Sequence, residues 1–175
     1  MPSSPAEQTQ ILLSPREHEV LRSYAAGNDR AQTAATLQLA ENTVKQYLNQ
    51  VKTKFGIHEL TVLVQAAYEA GILAEPDGDD PVEIPKAQKA LLAFLAYGAG
   101  ATDMAVMVHQ SQAAVRADGR ALLTTLKARN PAHAITRARQ VGLLGPRAQH
   151  DASRESNAAA HSPLGSAALA DALPV

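Results

Sequence analysis

The chain has 175 residues, a formal net charge of −1, 46% hydrophobic residues and only 3% aromatic ones, enough for one ordinary domain or two small ones. Alanine fills 35 positions. It is the best helix former and a poor strand former, which argues against an all-β fold and for short helices packed closely on Leu, Val, Ile and Ala. The absence of cysteine excludes a disulfide scaffold, a thiolate metal site and a cysteine nucleophile. No apolar run approaches the roughly 18–20 residues that span a bilayer, and the opening MPSSPAEQTQ has neither the basic start nor the apolar stretch of a signal peptide. A soluble, cytoplasmic, all-α protein is expected.

The first helix is expected to open at Ser14-Pro15-Arg16-Glu17. Serine suits the cap, proline the first position, and the glutamate three residues on can bond back as a capping box. Val20, Leu21, Tyr24 and Ala25 follow at helical spacing and Gly27 ends the helix. Ala31–Leu37 reads as a short second helix with Ala34 and Leu37 inward. After a brief turn, a third helix runs from about Asn42 to Phe55, with Val44, Leu48, Val51 and Phe55 as one buried stripe. Lys45, Gln46, Asn49 and Thr53 fall on its far side. A fourth helix, from about Leu60 to Ala70, stops at Gly71. Four short helices with a polar-faced helix after a tight turn form a helix-turn-helix arrangement.

Residues 74–83, AEPDGDDPVE, contain two prolines, one glycine and five acids, a linker composition whose self-repulsion favours extension. Asp77, Asp79 and Asp80 lack the ligand spacing and closing glutamate of a calcium loop. Residues 84–144 then align without gaps on 13–73 at a constant offset of 71, with nine identical pairs in 61. These include Leu21/Leu92, Ala25/Ala96, Gly27/Gly98, Ala34/Ala105, Val44/Val115, Ala67/Ala138, Gly71/Gly142 and Leu73/Leu144. The expected organisation is therefore two tandem four-helix domains, 13–73 and 84–144, joined by the acidic linker. Residues 145–175 are expected to form a mostly disordered tail, in which LGSAALADAL could make a short helix. The charge is unevenly shared. The first unit has six basic and six acidic residues, the second eight basic and only two acidic ones.

The stretch LSPREHEVL…AAG…AATLQLAENTVKQYLNQVKTKFGI…AAYEAGIL resembles the DNA-binding domain of the LuxR/FixJ (GerE-type) regulator family, most specifically in TVKQYLNQVKTKFG. The second unit resembles it more weakly, through AVRADGRALLTTLKARNPAHAI and the closing GLL. The resemblance implies a transcriptional regulator that reads double-stranded DNA through the residues after Thr-Val, here Lys45, Gln46 and Asn49. Lysine can donate to guanine acceptors, and Gln or Asn can pair bidentately with adenine. Thr43, Lys52 and Lys54 are placed to touch phosphates, which fix register without reading sequence.

In the second unit the matching positions are Arg116, Ala117 and Arg120. Gly119 replaces Leu48, Asp118 replaces Tyr47, Pro85 replaces the capping Ser14, and Ser111 offers a cap where the first unit has Ala40. With Lys127, Arg129, Arg137 and Arg139 near its helix ends, this unit suits the phosphate backbone or a degenerate second half-site. Proteins resembling the family bind paired half-sites as dimers. The ten-residue linker can extend roughly 33–36 Å, comparable to the roughly 34–36 Å between half-sites one turn apart. One chain bridging two half-sites is one arrangement; two copies packed together, pairing with another chain through a different surface, is the other.

Only twelve residues precede Leu13, so no receiver or ligand-sensing domain is expected, nor a small-molecule ligand, a cofactor or a membrane partner. The six histidines form no HExxH, no GxSxG is present, and Gly98-Ala99-Gly100 is a lone turn; enzymatic activity is not expected. The competing reading is an adaptor whose helix-turn-helix units bind another regulator or the transcription machinery without reading DNA, which the neutral first unit and the altered third helix of the second both favour.

Overall fold

The computed structural model describes residues 11–98, 105 and 109–145. The expectations for the tail beyond residue 145, for Ala99 and Gly100, and for most of a second helix in the second half lie outside those residues. The described elements are seven helices and no strand: α1 Pro15–Ala25, α2 Arg30–Leu37, α3 Glu41–Phe55, α4 Leu60–Glu69, α5 Lys86–Tyr97, α6 Gln112–Thr125 and α7 Pro131–Gln140. No described helix is long and apolar enough to cross a membrane.

Local sequence explains the boundaries. The capping box of α1 forms as expected: Glu17 N–H donates to Ser14 Oγ (3.3 Å) and Ser14 N–H to the Glu17 carboxylate (2.6 Å). Asp29 and Gln32 make a second box at α2. Ser111 caps α6 by accepting from Ala114 N–H, whereas Ala40 gives α3 no side-chain cap and Pro85 gives none to α5. The stripe on α3 is inward, with Val44 and Val51 fully buried and Leu48 and Phe55 partly so.

The offset of 71 recurs in the backbone itself. α5, α6 and α7 begin 71 residues after α1, α3 and α4 respectively. The left-handed residues recur likewise: Gly27 and Gly98 (φ 91° and 80°), Gln38 and His109 (both 55°), Gly56 and Lys127 (66° and 52°), Gly71 and Gly142 (68° and 76°). The chain therefore turns at corresponding places in both halves, even where the residue is not glycine.

The halves share one core. A small cluster of Val20, Tyr24, Ala34 and Val44 lies under α1, α2 and α3. A larger one runs from Leu21, Val51, Leu63 and Val64 straight through to Leu91, Leu92, Leu122, Leu126 and Ile135. The contact between halves runs chiefly through α4 against α7, flanked by α1 on α7 and α5 on α4, and several of its contacts are returned in exchanged positions. Gly27 lies against His133 and Gly98 against Val62, which occupy corresponding places. A Cβ on Gly27 would sit 2.7 Å from His133 Nδ1, and one on Gly98 2.5 Å from Val62 Cγ2, so both helix ends need a residue without a side chain. Tyr68 bonds Thr136 (3.0 Å) while Arg139 bonds Gln65 (3.1 Å), again the same pair of positions exchanged. The Thr136 hydroxyl donates in turn to Ala25 O (2.9 Å), and Asn130 Nδ2 to Gly27 O (3.1 Å). Burial and the neighbouring Arg129 and Arg137 push His133 below the usual histidine range, which keeps it neutral in this seam.

The structure corrects the reading of residues 74–83 as an extended, self-repelling spacer. Glu75 pairs with Arg139, Asp79 Oδ2 with Arg137 (3.0 Å), and Asp79 N–H bonds Gln140 O (2.9 Å). Ile84 is buried and Val82 packs beside it. Two of the five acids, Glu75 and Asp79, are held by the arginines of α7. That also withdraws Arg137 and Arg139 from the phosphate-binding role: Arg139 has a side chain only 2% exposed, stacked 5.0 Å from the Tyr68 ring, and Arg137 is further held by Leu126 O and Gln140.

Gly119, the residue that replaces Leu48, has room for a side chain: a Cβ there would lie 3.9 Å from Leu91 Cδ2, an ordinary contact. Gly119→Ala is expected to raise stability by about 0.5–1 kcal/mol, because a mid-helix alanine costs less backbone entropy. Urea denaturation of the two proteins checks this through a shifted midpoint at unchanged slope.

Candidate nucleic-acid interface

α3 packs against α1 and α2 within its own half, which leaves one of its sides to solvent. Val44 and Val51 anchor the inner side, and the 3.6-residue period then carries Lys45, Gln46, Asn49 and Thr53 outward, all exposed. Thr43 and Lys52 are partly exposed at the margins. Asn42, which the sequence reading passed over, is also exposed. It precedes Lys45 and Gln46 by three and four residues, so helical spacing alone would have placed it on this face. Across the turn, Arg30 Nε pairs with Glu41 (2.9 Å), tying the start of α2 to the start of α3.

Lys54 has a different task from the one expected. Its ammonium donates to the Glu17 carboxylate (2.7 Å) and to Leu12 O (3.0 Å), binding the last turn of α3 to the entry of α1. The Glu17 side chain is 4% exposed. Burial raises its pKa, but the bonds from Lys54 and from the Ser14 backbone and hydroxyl outweigh this and hold it below the usual carboxylate range. Lys54 thus supports the face from behind.

On α6, Arg116 and Arg120 are exposed, and no acid among the described residues pairs with either. Lys127 and Arg129 are exposed just past the end of that helix. The comparison of faces is informative. Where α3 has Asn42, Lys45, Gln46 and Asn49, α6 has Ala113, Arg116, Ala117 and Arg120, all exposed. At these four positions α6 has no side-chain amide, and both of its polar groups are guanidinium. The support from behind has changed in step: Ser14, Glu17 and Lys54 correspond to Pro85, Gln88 and Thr125. The buried Gln88 Oε1 has no hydrogen-bond partner among the described residues. With the lysine gone a buried carboxylate would have no counter-charge, and a neutral amide costs less to leave there.

No group of three or more metal-ligating side chains occurs among the described residues. A shallow groove of about 430 Å³ on the outside of α1, lined by Leu13, Pro15, His18, Glu19, Arg22 and Ile72, includes none of the face residues.

The Glu17 pair makes part of the stability of the fold dependent on acid pH. With a folded-state pKa below the unfolded one, its contribution is complete above the ordinary glutamate value and is lost as pH falls through the folded value. Glu17→Gln is expected to lower stability at pH 7 by about 1–2 kcal/mol and to flatten the loss between pH 5 and pH 3. Thermal or urea unfolding across that range measures both.

No curated protein and no solved structure matches the chain. Residues 12–67, which comprise the capping box, the turn, the whole of α3 and most of α4, match the GerE family model, that of the luxR family of bacterial regulatory proteins.

Proposed function

We propose that the protein is a DNA-binding transcription regulator in which α3 enters the major groove. The observation that carries this reading is the solvent-facing row of Lys45, Gln46 and Asn49 on a helix that follows a tight turn, inside the segment that matches the luxR-family model. Lysine donates to guanine O6 and N7, and the two amides can each span the donor and acceptor edge of adenine. Thr43 and Lys52, at the margins of the face, are placed for phosphates.

Residues 13–73 and 84–144 are two copies of one helix-turn-helix unit in this reading, and the recurring left-handed positions at an offset of 71 support it. The copies divide the labour. The first retains the amides that discriminate bases. The second offers Arg116, Arg120, Lys127 and Arg129, a set that neutralises phosphates or holds a degenerate half-site. The neutral balance of the first half favours a second reading, in which its helix-turn-helix docks on a regulator or the transcription machinery instead of DNA.

Fluorescence titration with mixed genomic fragments at two salt concentrations decides between them. A DNA reader binds at low salt and weakens steeply as salt rises; an adaptor shows no binding at either concentration. Within the first reading, Lys45→Ala is expected to relax sequence preference. Arg116→Ala is expected to weaken all duplexes about equally and to reduce the salt slope by about 1. Equal loss of specificity from both substitutions overturns the division of labour.

A further inference from the structure

The geometry points to a single chain as a complete twofold DNA-reading unit: α3 and α6 address two half-sites that run in opposite directions along one duplex, with the contact between α4 and α7 holding them in place. This rests on the DNA-binding reading above and adds orientation and stoichiometry to it.

The argument starts from the way the halves touch. If two similar units were stacked head to tail, a patch on the first would meet a different patch on the second, and the contact would not be returned. Here the principal contacts are returned. Gly27 meets His133 and Gly98 meets Val62; Tyr68 meets Thr136 and Arg139 meets Gln65; α1 lies on α7 and α5 on α4. Exchange of this kind is the mark of an isologous interface, which requires a local twofold axis between α4 and α7. The same axis must carry α3 onto α6. A twofold rotation preserves the component of any direction along its axis, so the two exposed faces share whatever tilt they have toward a ligand lying across that axis.

B-DNA has twofold axes of its own, perpendicular to its length, and paired recognition helices related by a twofold meet half-sites in inverted order. The faces are free to do so, because the contact between halves runs chiefly through α1, α4, α5 and α7 while α3 packs within its own half. The surfaces of α4 and α7 cover each other, so the twofold contact is filled within one chain and needs no second chain to complete it. One molecule per site is the expectation. Because α6 has lost the amides of α3, the two half-sites are unequal: one carries base sequence, the other mainly position.

The test uses the full chain and the duplex it enriches most strongly from a random-sequence library. Native mass spectrometry of that complex is expected to show one chain per duplex. The absence of cysteine allows a tethered iron–EDTA cleavage reagent at single sites on α3 or α6, in Thr53→Cys and Thr124→Cys, which occupy corresponding exposed positions. The two cleavage patterns are expected on opposite sides of the site centre, about one helical turn apart and related by exchange of strands. Two chains per duplex, patterns of the same strand polarity, or no cleavage from Thr124→Cys overturns the proposal while leaving DNA binding intact. Failure of the unmodified chain to bind any duplex at low salt overturns the DNA reading and this proposal together. The stoichiometry is read on the unmodified protein and does not depend on how the cysteine variants fold.

Discussion

The close approach of α4 to α7 is the constraint on which the rest of the molecule depends. Two helix ends, at Gly27 and Gly98, lie so near the opposite half that a methyl group would collide with His133 or Val62. Both residues also have positive φ, so glycine is required there twice over. Around them a small polar network is fully engaged: Tyr68 to Thr136 to Ala25 O, Asn130 to Gly27 O, and Arg139 to Gln65 and Glu75. Buried polar groups of this kind are costly unless each has a partner, and here each partner comes from the other half or from the linker. Such a seam specifies one arrangement of the halves in a way that the surrounding alanines and leucines alone would not.

At an offset of 71 the halves agree in some features and differ in others. They agree in the turns and in apolar residues that face inward. Among the described residues, the second half has no side-chain cap on its first helix, no buried ion pair at the end of α6 and no amide at the positions matching Asn42, Gln46 and Asn49. The differences are chemically coupled. Glu17 requires Lys54, and at the matching positions stand Gln88 and Thr125. Ser111, which caps α6, offsets part of the weakening that Gly119 brings to the same helix. The exposed face that carries side-chain amides thus rests on a buried, lysine-paired glutamate, and the face that carries two guanidinium groups does not.

Electrostatics connects the acidic linker to this picture. Five acids in ten residues look like a spacer when counted alone. Beside α7 two of them, Asp79 and Glu75, neutralise the inward-facing Arg137 and Arg139, while no acid among the described residues pairs with Arg116 or Arg120 on the outside. The positive charge of the second half is thereby sorted into a structural part and an available part.

The sequence by itself determined the helices, their caps and the face of α3, because these depend on residues within a turn or two of one another. Ser14 and Glu17, or Val44 and Val51, carry their meaning at fixed spacing in any context. It also determined the register of the two halves, since a constant offset needs no knowledge of contacts. Only the tertiary structure decided which charges were spent. Lys54 looked as free as Lys45, and Arg139 as free as Arg116, until residues 37 and 64 positions away, Glu17 and Glu75, proved to hold them. The side of a helix on which a cation lies is a local property, whereas the acid that meets it is not. The exchange of contacts across α4 and α7 was hidden for the same reason. A twofold relation is a property of surfaces brought together, and nothing in the spacing of residues along one strand of chain records it.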